Sequence, residues 1–322
     1  MRAALLALVL VLSAFHPAAA GMVTLTFDDG LAGVYAHAYP VLRRLGLPGV
    51  AAVIVERLES GDPDYMRPEQ VRELQDAGWE IASHSLTHRR VVDIPARYDQ
   101  EPLAGWRPDP AGPGMVQAYY PLQDLAGVLE GGAALKAVSS LGEAAASPGT
   151  YYYDRIIHEL HVHPLAPGEA GSLSLRTVSY EREMEESRRR LRELGFAVST
   201  YVIPYNYLND DVAALGRKHY SALVTGYDGD AIVQEAEPYH VFRTVVSARD
   251  TAERFIRLVE ERVQGKDAWL VLCMHDIESG RGWEPWPARE FEKLATWLKE
   301  RGVPVVTVRE GVARMQRIKA RE

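Results

Sequence analysis

Short apolar runs alternate with longer amphipathic segments along most of this chain, and that rhythm restricts the fold more than any other feature. Met22–Phe27, Gly49–Val55 and Trp79–Ser83 read as strands. Between them lie a helix over Tyr35–Leu45, interrupted by Pro40, and a helix over Pro68–Ala77. The order βαβαβ is the signature of a parallel sheet with helices outside it. Later the rhythm resumes with helices at Tyr180–Leu194, Asp210–His219, Thr251–Gln264 and Ala288–Arg301, and strands at Ala197–Ile203, Ala222–Thr225, Trp269–Met274 and Val303–Val308. Together these make about seven βα units. The length of 322 residues would allow two domains of ~150, but an α/β barrel routinely reaches about 250 residues as one unit, which leaves room for an insertion.

That insertion is expected between about Val91 and Ser179, where the alternation fails. The stretch is rich in Gly, Pro and Ala, as in Pro108-Asp109-Pro110-Ala111-Gly112-Pro113-Gly114. A helix is expected over Leu122–Leu141, followed by β-prone segments at Tyr151–Val162 and Ser172–Ser179. In the helix that follows, Met184, Leu191 and Leu194 share one face, and Glu185/Arg189 and Glu186/Arg190 pair on another before Gly195 stops it. Its charge run reads as a solvated face.

The formal charge of -8, from 36 Lys+Arg against 44 Asp+Glu, argues against a grip on nucleic acid phosphates or anionic lipid. Residues 1–20 have the pattern of a secretory signal: Arg2, an apolar stretch from Ala3 to Phe15 too short to span a bilayer comfortably, and Ala18-Ala19-Ala20 before a mature start near Gly21. No stable membrane insertion is expected after cleavage, and the catalytic domain is expected over 21–322. Cys273 is the single cysteine, so no intramolecular disulfide can form and stability must come from the core.

Chemistry-bearing residues gather at strand ends. Asp28 and Asp29 follow the first strand in Thr26-Phe27-Asp28-Asp29-Gly30; one carboxylate can bind a cation while the other holds a proton, or the pair can simply cap a helix beside a turn glycine. His84 and His88 in His84-Ser85-Leu86-Thr87-His88 are an i,i+4 pair that faces one point if the segment is a helical turn. Two His and one carboxylate make a metal site with open positions for water and substrate. Val202-Ile203-Pro204-Tyr205 and His275-Asp276 close two later strands. In a parallel barrel these C-terminal ends open on one face, and a metal, a base and a second titratable group in one mouth describe metal-assisted hydrolysis.

Other groups have competing readings. In His158-Glu159-Leu160-His161-Val162-His163 the helical metalloprotease pattern fails at Val162, but His161 and His163 on a strand would share a face, which offers a second metal site as the alternative reading. Trp106, Tyr119, Tyr120, Tyr151, Tyr152 and Tyr153 offer either sugar-stacking surfaces or packing. Trp283 and Trp286, just past His275, are the better sugar-stacking candidates.

With these residues in order, the chain resembles the polysaccharide deacetylase family, also called NodB-homology or carbohydrate esterase family 4. Thr26–Gly30 matches its first motif, His84–His88 its second, Pro204-Tyr205 the tail of its third and Leu272–His275 its last. The likeness spans roughly Met22–Arg90 and Tyr180–Gly311. It implies a distorted (β/α)7 barrel with the insertion after the third strand, removing N-acetyl groups from an amino-sugar polysaccharide such as a chitin-like polymer, peptidoglycan or an exopolysaccharide. It further implies that Asp29, His84 and His88 hold a divalent metal, usually zinc. By the same resemblance Asp28 is the general base, the Tyr205 backbone N–H helps hold the oxyanion, and His275 is the general acid. Two positions depart from the family. Its third motif begins with an Arg that pairs with the catalytic Asp, where this chain has Val202, with Arg89 or Arg243 as candidate replacements. The Asp and Trp region that orients the acid histidine is not recognisable near Val224–Asp230, where Asp228 and Asp230 are weak candidates. Three readings therefore stand: an exported carbohydrate N-deacetylase, an amidohydrolase for a small or non-carbohydrate amide whose groove the insertion closes, and a glycan-binding protein with a weakened site.

Overall fold

The structure is a computed structural model and describes residues 21–91, 105–120, 125–166, 170–177, 179–226, 232–233 and 237–320. The signal-like segment, Asp228 and Asp230 lie outside the described residues.

Seven parallel strands close on themselves: β1 (Met22–Phe27), β2 (Val50–Val53), β3 (Glu80–Ser83), β4 (Thr200–Val202), β5 (Ala222–Gly226), β6 (Val241–Val245) and β7 (Trp269–Met274). Each pairs with the next, and β7 returns to β1 over its whole length, from Met22↔Trp269 to Phe27↔Met274. Elsewhere the pairing is thin, with Tyr201↔Ser83 joining β3 to β4 and two pairs, Thr26↔Val50 and Phe27↔Ala51, joining β1 to β2. The expected distorted (β/α)7 barrel is therefore present. A short strand, Ile232–Val233, runs antiparallel against the start of β7.

The expected count of strands is right, but one of the seven was misplaced. Val303–Val308 does not form a strand. Val305 makes an isolated bridge to Val23, and Val308 already begins a helix that runs to Lys319. The remaining staves include β6 instead, whose apolar run is interrupted by Arg243 and so gave no strand signal. The helix over Tyr35–Leu45 begins as a π-helical turn at Val34–Ala38 and becomes α-helical at Tyr39–Leu45, where Pro40 sits in the first turn with no need of its missing N–H.

Side chains alternate across each strand, so one set lines the barrel and the other meets the helices. Val23, Leu25, Phe27, Leu270, Leu272 and Met274 pack outward under the helices. Met22, Val50, Ala52, Ala82, Val202, Val224, Val241, Trp269 and Val271 fill the interior. The Val308–Lys319 helix closes the lower end of that interior with Val308, Val312 and Met315. Gly311 is required there, because a Cβ would stand 2.3 Å from the Trp269 ring.

The insertion has its own sheets and its own core. One sheet has the order Arg107–Pro108, Val116–Tyr119, Glu159–His163, Thr150–Asp154, Lys136–Ala137, and a second joins Leu173–Thr177, Leu125–Glu130 and Ala133–Ala134. The helix expected over Leu122–Leu141 is absent among the described residues. Gly131 and Gly132 take positive φ (56° and 88°) and turn Leu125–Glu130 back on Ala133–Ala134, while Leu173–Thr177 supplies a long antiparallel partner. Among the described residues of the insertion the one α-helix is Leu141–Ala146, capped by Ser140. Val128, Leu160, Val162, Leu173 and Leu175 are the buried centre of this part.

Candidate active site

Period-two alternation aims the site residues. Thr26, Ala82, Val241 and Cys273 face the barrel interior, so Asp28, His84, Arg243 and His275, each two positions further on, point into the same mouth. Asp29 would point elsewhere on a continuing strand. Its φ of 68° turns the chain, a conformation Asp tolerates better than most residues, and brings its carboxylate back beside His84 and His88. Neither carboxylate caps a helix: the following helical turn starts at Gly33 without a side-chain cap. His84 and His88 converge, with ring centroids 4.9 Å apart, but not through a helical turn. The segment is an irregular loop with positive φ at Ser85 (70°) and His88 (65°).

Asp29 Oδ1, His84 Nε2 and His88 Nε2 lie within 4.8 Å of one another, with 3.4 Å from Asp29 Oδ1 to His84 and 3.3 Å to His88. Asp29 Oδ1 is buried and accepts no hydrogen bond, which in an anion marks a place for a cation. His84 Nδ1 donates to the Val202 carbonyl at 2.8 Å. A carbonyl only accepts, so in the neutral ring the Nε2 lone pair is left facing the carboxylates. The donor set fits a divalent ion, and zinc is well served by two imidazoles and a carboxylate.

Asp28 stands beside this group and is almost wholly buried. Arg243 grips it with both prongs, Nη1 to Oδ1 and Nη2 to Oδ2, each at 2.7 Å. Asn206 Oδ1 accepts from Arg243 Nε (3.1 Å) and Nη2 (2.7 Å) and fixes the plane of the guanidinium. On the other side, His275 Nε2 is 4.0 Å from Asp28 Oδ2, and the Cys273 thiol lies 3.7 Å from the same oxygen. Burial would raise the Asp28 pKa, but the Arg243 charge, helped by His84 and His275, overrides it and holds the carboxyl well below the usual carboxylate range. Burial lowers the pKa of His275 against the pull of Asp28 and Asp29. Burial and the neighbouring His84 bring His88 down to about 4. For His84 the two carboxylates outweigh burial and raise it.

The pocket has a volume of about 500 Å³ and is rimmed by Tyr205, Asn206, Val245 and Trp283 in addition to the charged residues. Tyr205 is 57% exposed, has a φ of 56° and lays its ring 4.6 Å from that of His88. All six residues singled out in the sequence, Asp28, Asp29, His84, His88, Tyr205 and His275, line this one pocket.

Residues 16–104 match the family described as polysaccharide deacetylase. Over that segment the chain is similar to the polysaccharide deacetylase family. A relative from Bacillus subtilis (strain 168), YxkH, provisionally named a polysaccharide deacetylase, is 30% identical over 82 residues, which are 26% of this chain and 29% of that protein. The aligned part is thus less than a third of that relative. Among solved structures, the Xyl-CE4 domain of a multidomain xylanase from the hindgut metagenome of Trinervitermes trinervoides has a TM-score of 0.48 at 14% identity, covering 92% of this chain and 91% of its own. A family 4 carbohydrate esterase from Streptomyces lividans has a TM-score of 0.46 at 14% identity, covering 90% and 95%.

Measured against the family pattern, the cation expected at Val202 comes from Arg243 on β6. The sequence marked Arg243 as a candidate without being able to place it, and it missed Asn206 altogether. No orienting carboxylate meets His275 among the described residues: its Nδ1 is buried without a hydrogen-bond partner, and the edge of Trp283 packs 4.6 Å from its ring.

The aromatic candidates separate cleanly. Trp283 is 56% exposed and lines the pocket. Trp286 is 1% exposed, donates Nε1–H to the Asp250 carbonyl and packs against Phe255 and Phe291, so it is core and not a sugar platform. Tyr120 and Tyr151 are buried in the insertion, with Trp106 and Tyr153 packed against them. The second histidine cluster does not assemble a metal site among the described residues. His161 Nδ1 pairs with Asp109 at 2.7 Å, and His163 Nδ1 donates to the Ala144 carbonyl.

Proposed function

We propose that this protein is an exported, divalent-metal-dependent hydrolase that removes N-acetyl groups from an amino-sugar glycan. The observation that carries the reading is Asp28, kept ionised by Arg243, standing 4.0 Å from His275 and directly beside the Asp29, His84 and His88 group. The likeness of residues 16–104 to the polysaccharide deacetylase family supports the acetyl-glycan class. The leader-like residues 1–20 support export, and no helix among the described residues is long and apolar enough to cross a membrane.

Asp29, His84 and His88 would hold the ion. When bound it supplies Lewis acidity to the acetyl carbonyl and acidifies water. Asp28 accepts the proton of the attacking water, a task that requires the ionised carboxylate Arg243 secures. The Tyr205 backbone N–H helps carry the developing oxyanion. His275 donates a proton to the sugar nitrogen as the C–N bond breaks, since an amide anion could not leave near neutral pH. Burial makes the His275 imidazolium a stronger acid, which suits that transfer. Trp283 and Tyr205 flank the entrance with exposed rings against which sugar faces can stack.

The deciding assay measures acetate release from a panel of acetylated glycans with metal-stripped and metal-restored protein. Release that appears only after restoration supports the reading. Release from small amides alone would move the protein to a different substrate class.

A further inference from the structure

Glu183 is a buried carboxylate that the chemistry above does not use. It sits in the first turn of the Tyr180–Glu193 helix, is 1% exposed, and forms no ion pair with a basic side chain among the described residues. Both its oxygens are spent on the loop between the two site histidines. Leu86 N–H and Thr87 N–H donate to Oε2 at 3.0 and 2.8 Å, and the Thr87 hydroxyl donates to Oε1 at 2.8 Å. One helical turn further on, Ser187 Oγ accepts from Ser83 Oγ at 2.8 Å, next to His84.

A carboxylate buried without a cation is costly unless its hydrogen bonds are nearly complete. Here they converge on a loop that must hold two side-chain-bearing residues, Ser85 and His88, at positive φ, conformations that persist only where the surroundings over-determine them. We infer that Glu183 is a positioning residue that sets the spacing of His84 and His88 for cation binding. The inference rests on the reading that Asp29, His84 and His88 bind a divalent ion.

Zinc titration of chelator-stripped protein by calorimetry tests it, beside melting of the same apo samples and the visible spectrum after Co²⁺ addition. Glu183→Ala should weaken zinc binding about tenfold or more, as loss of an outer-shell partner commonly does, and should alter the Co²⁺ spectrum. Glu183→Gln, which keeps a carbonyl acceptor, should recover part of the affinity. Thr87→Val, which removes one of the three bonds without touching the helix, should weaken binding severalfold even if the Glu183 variants do not fold. Met184→Ala, a core truncation on the same helix, should lower the apo Tm and leave affinity unchanged. Wild-type affinity in Thr87→Val and in every folded Glu183 variant overturns the inference alone. A wild-type chain that binds no divalent ion overturns the metal reading and this inference with it.

Discussion

His84 receives its orientation from the backbone of Val202, whose carbonyl accepts the Nδ1–H at 2.8 Å. A carbonyl is present whatever the side chain, so the end of β4 can fix the imidazole while carrying an apolar residue. The Val202 side chain fills the barrel interior. The charge expected at that position arrives instead from β6, where Arg243 reaches Asp28 across the mouth. Two duties, orienting a histidine and ionising a carboxylate, are thereby divided between two strands.

Replacing His84 or His88 with Ala, or Asp29 with Asn, should remove most bound metal, because each deletes one member of a three-donor group. Metal content by elemental analysis after dialysis checks this. Full stoichiometry in the His84 and His88 variants would dissociate the group from metal binding.

Asp28→Asn should retain metal and lose turnover, since an amide cannot take up the water proton. His275→Ala should do the same by withholding the proton from the leaving nitrogen. Each loss should be on the order of 10²–10⁴ in kcat, the usual worth of a positioned acid or base. A kcat near that of wild type in either variant, measured with metal bound, would strike that residue from its role.

The two neighbouring tryptophans should behave differently. Trp283→Ala should raise KM for a glycan substrate with little change in Tm, because the ring is exposed at the pocket rim. Trp286→Ala should instead destabilise the fold by roughly 3–5 kcal/mol, the typical cost of emptying a buried aromatic site. Thermal melts and steady-state kinetics on the same preparations separate the outcomes; a large Tm loss in Trp283→Ala would show that its contact with His275 is structural.

Much of this was legible in the sequence because strand ends in a parallel barrel open on one face, so motifs far apart in the chain had to meet. Asp28, Asp29, His84, His88 and His275 could be grouped on that ground. Arg243 could not be placed, since a charged residue at the centre of Val241–Val245 breaks the apolar run by which strands are read. The same charge can be buried there because Asp28 and Asn206 meet it, which is a tertiary fact. Glu183 was hidden in a run of charges that reads as solvated. In the structure Arg189 pairs with Glu186 and Glu193, and Arg190 reaches Glu59, in place of the expected Glu185/Arg189 and Glu186/Arg190 pairs. Helical periodicity assigned a face to that run but could not show that the His84–His88 loop would cover its first turn.

The relocated cation gives the sharpest test. Asp28 must be ionised to act as a base, so activity is lost as pH falls through its pKa. With Arg243 present that pKa lies well below the usual carboxylate range, so Asp28 should stay ionised through mildly acidic pH and activity should persist there. Arg243→Met leaves burial opposed only by the neighbouring histidines, so the Asp28 pKa should rise by at least the roughly one to three units that one nearby opposite charge is usually worth, and the acidic limb of the pH–rate profile should lie above that of wild type. The variant should also lose stability, since removing one partner of a buried pair costs about 3–5 kcal/mol. That stability has a sign in pH: with the folded pKa depressed, the pair's contribution is present above the unfolded carboxylate pKa and fades as pH falls toward the folded value. Arg243→Met should therefore be most destabilised relative to wild type near neutrality, with the gap narrowing in acid. Adding Val202→Arg to Arg243→Met should draw the acidic limb back down if a guanidinium from β4 can reach Asp28. An acidic limb in metal-loaded Arg243→Met that coincides with that of wild type would mean that Arg243 does not govern the ionisation of Asp28.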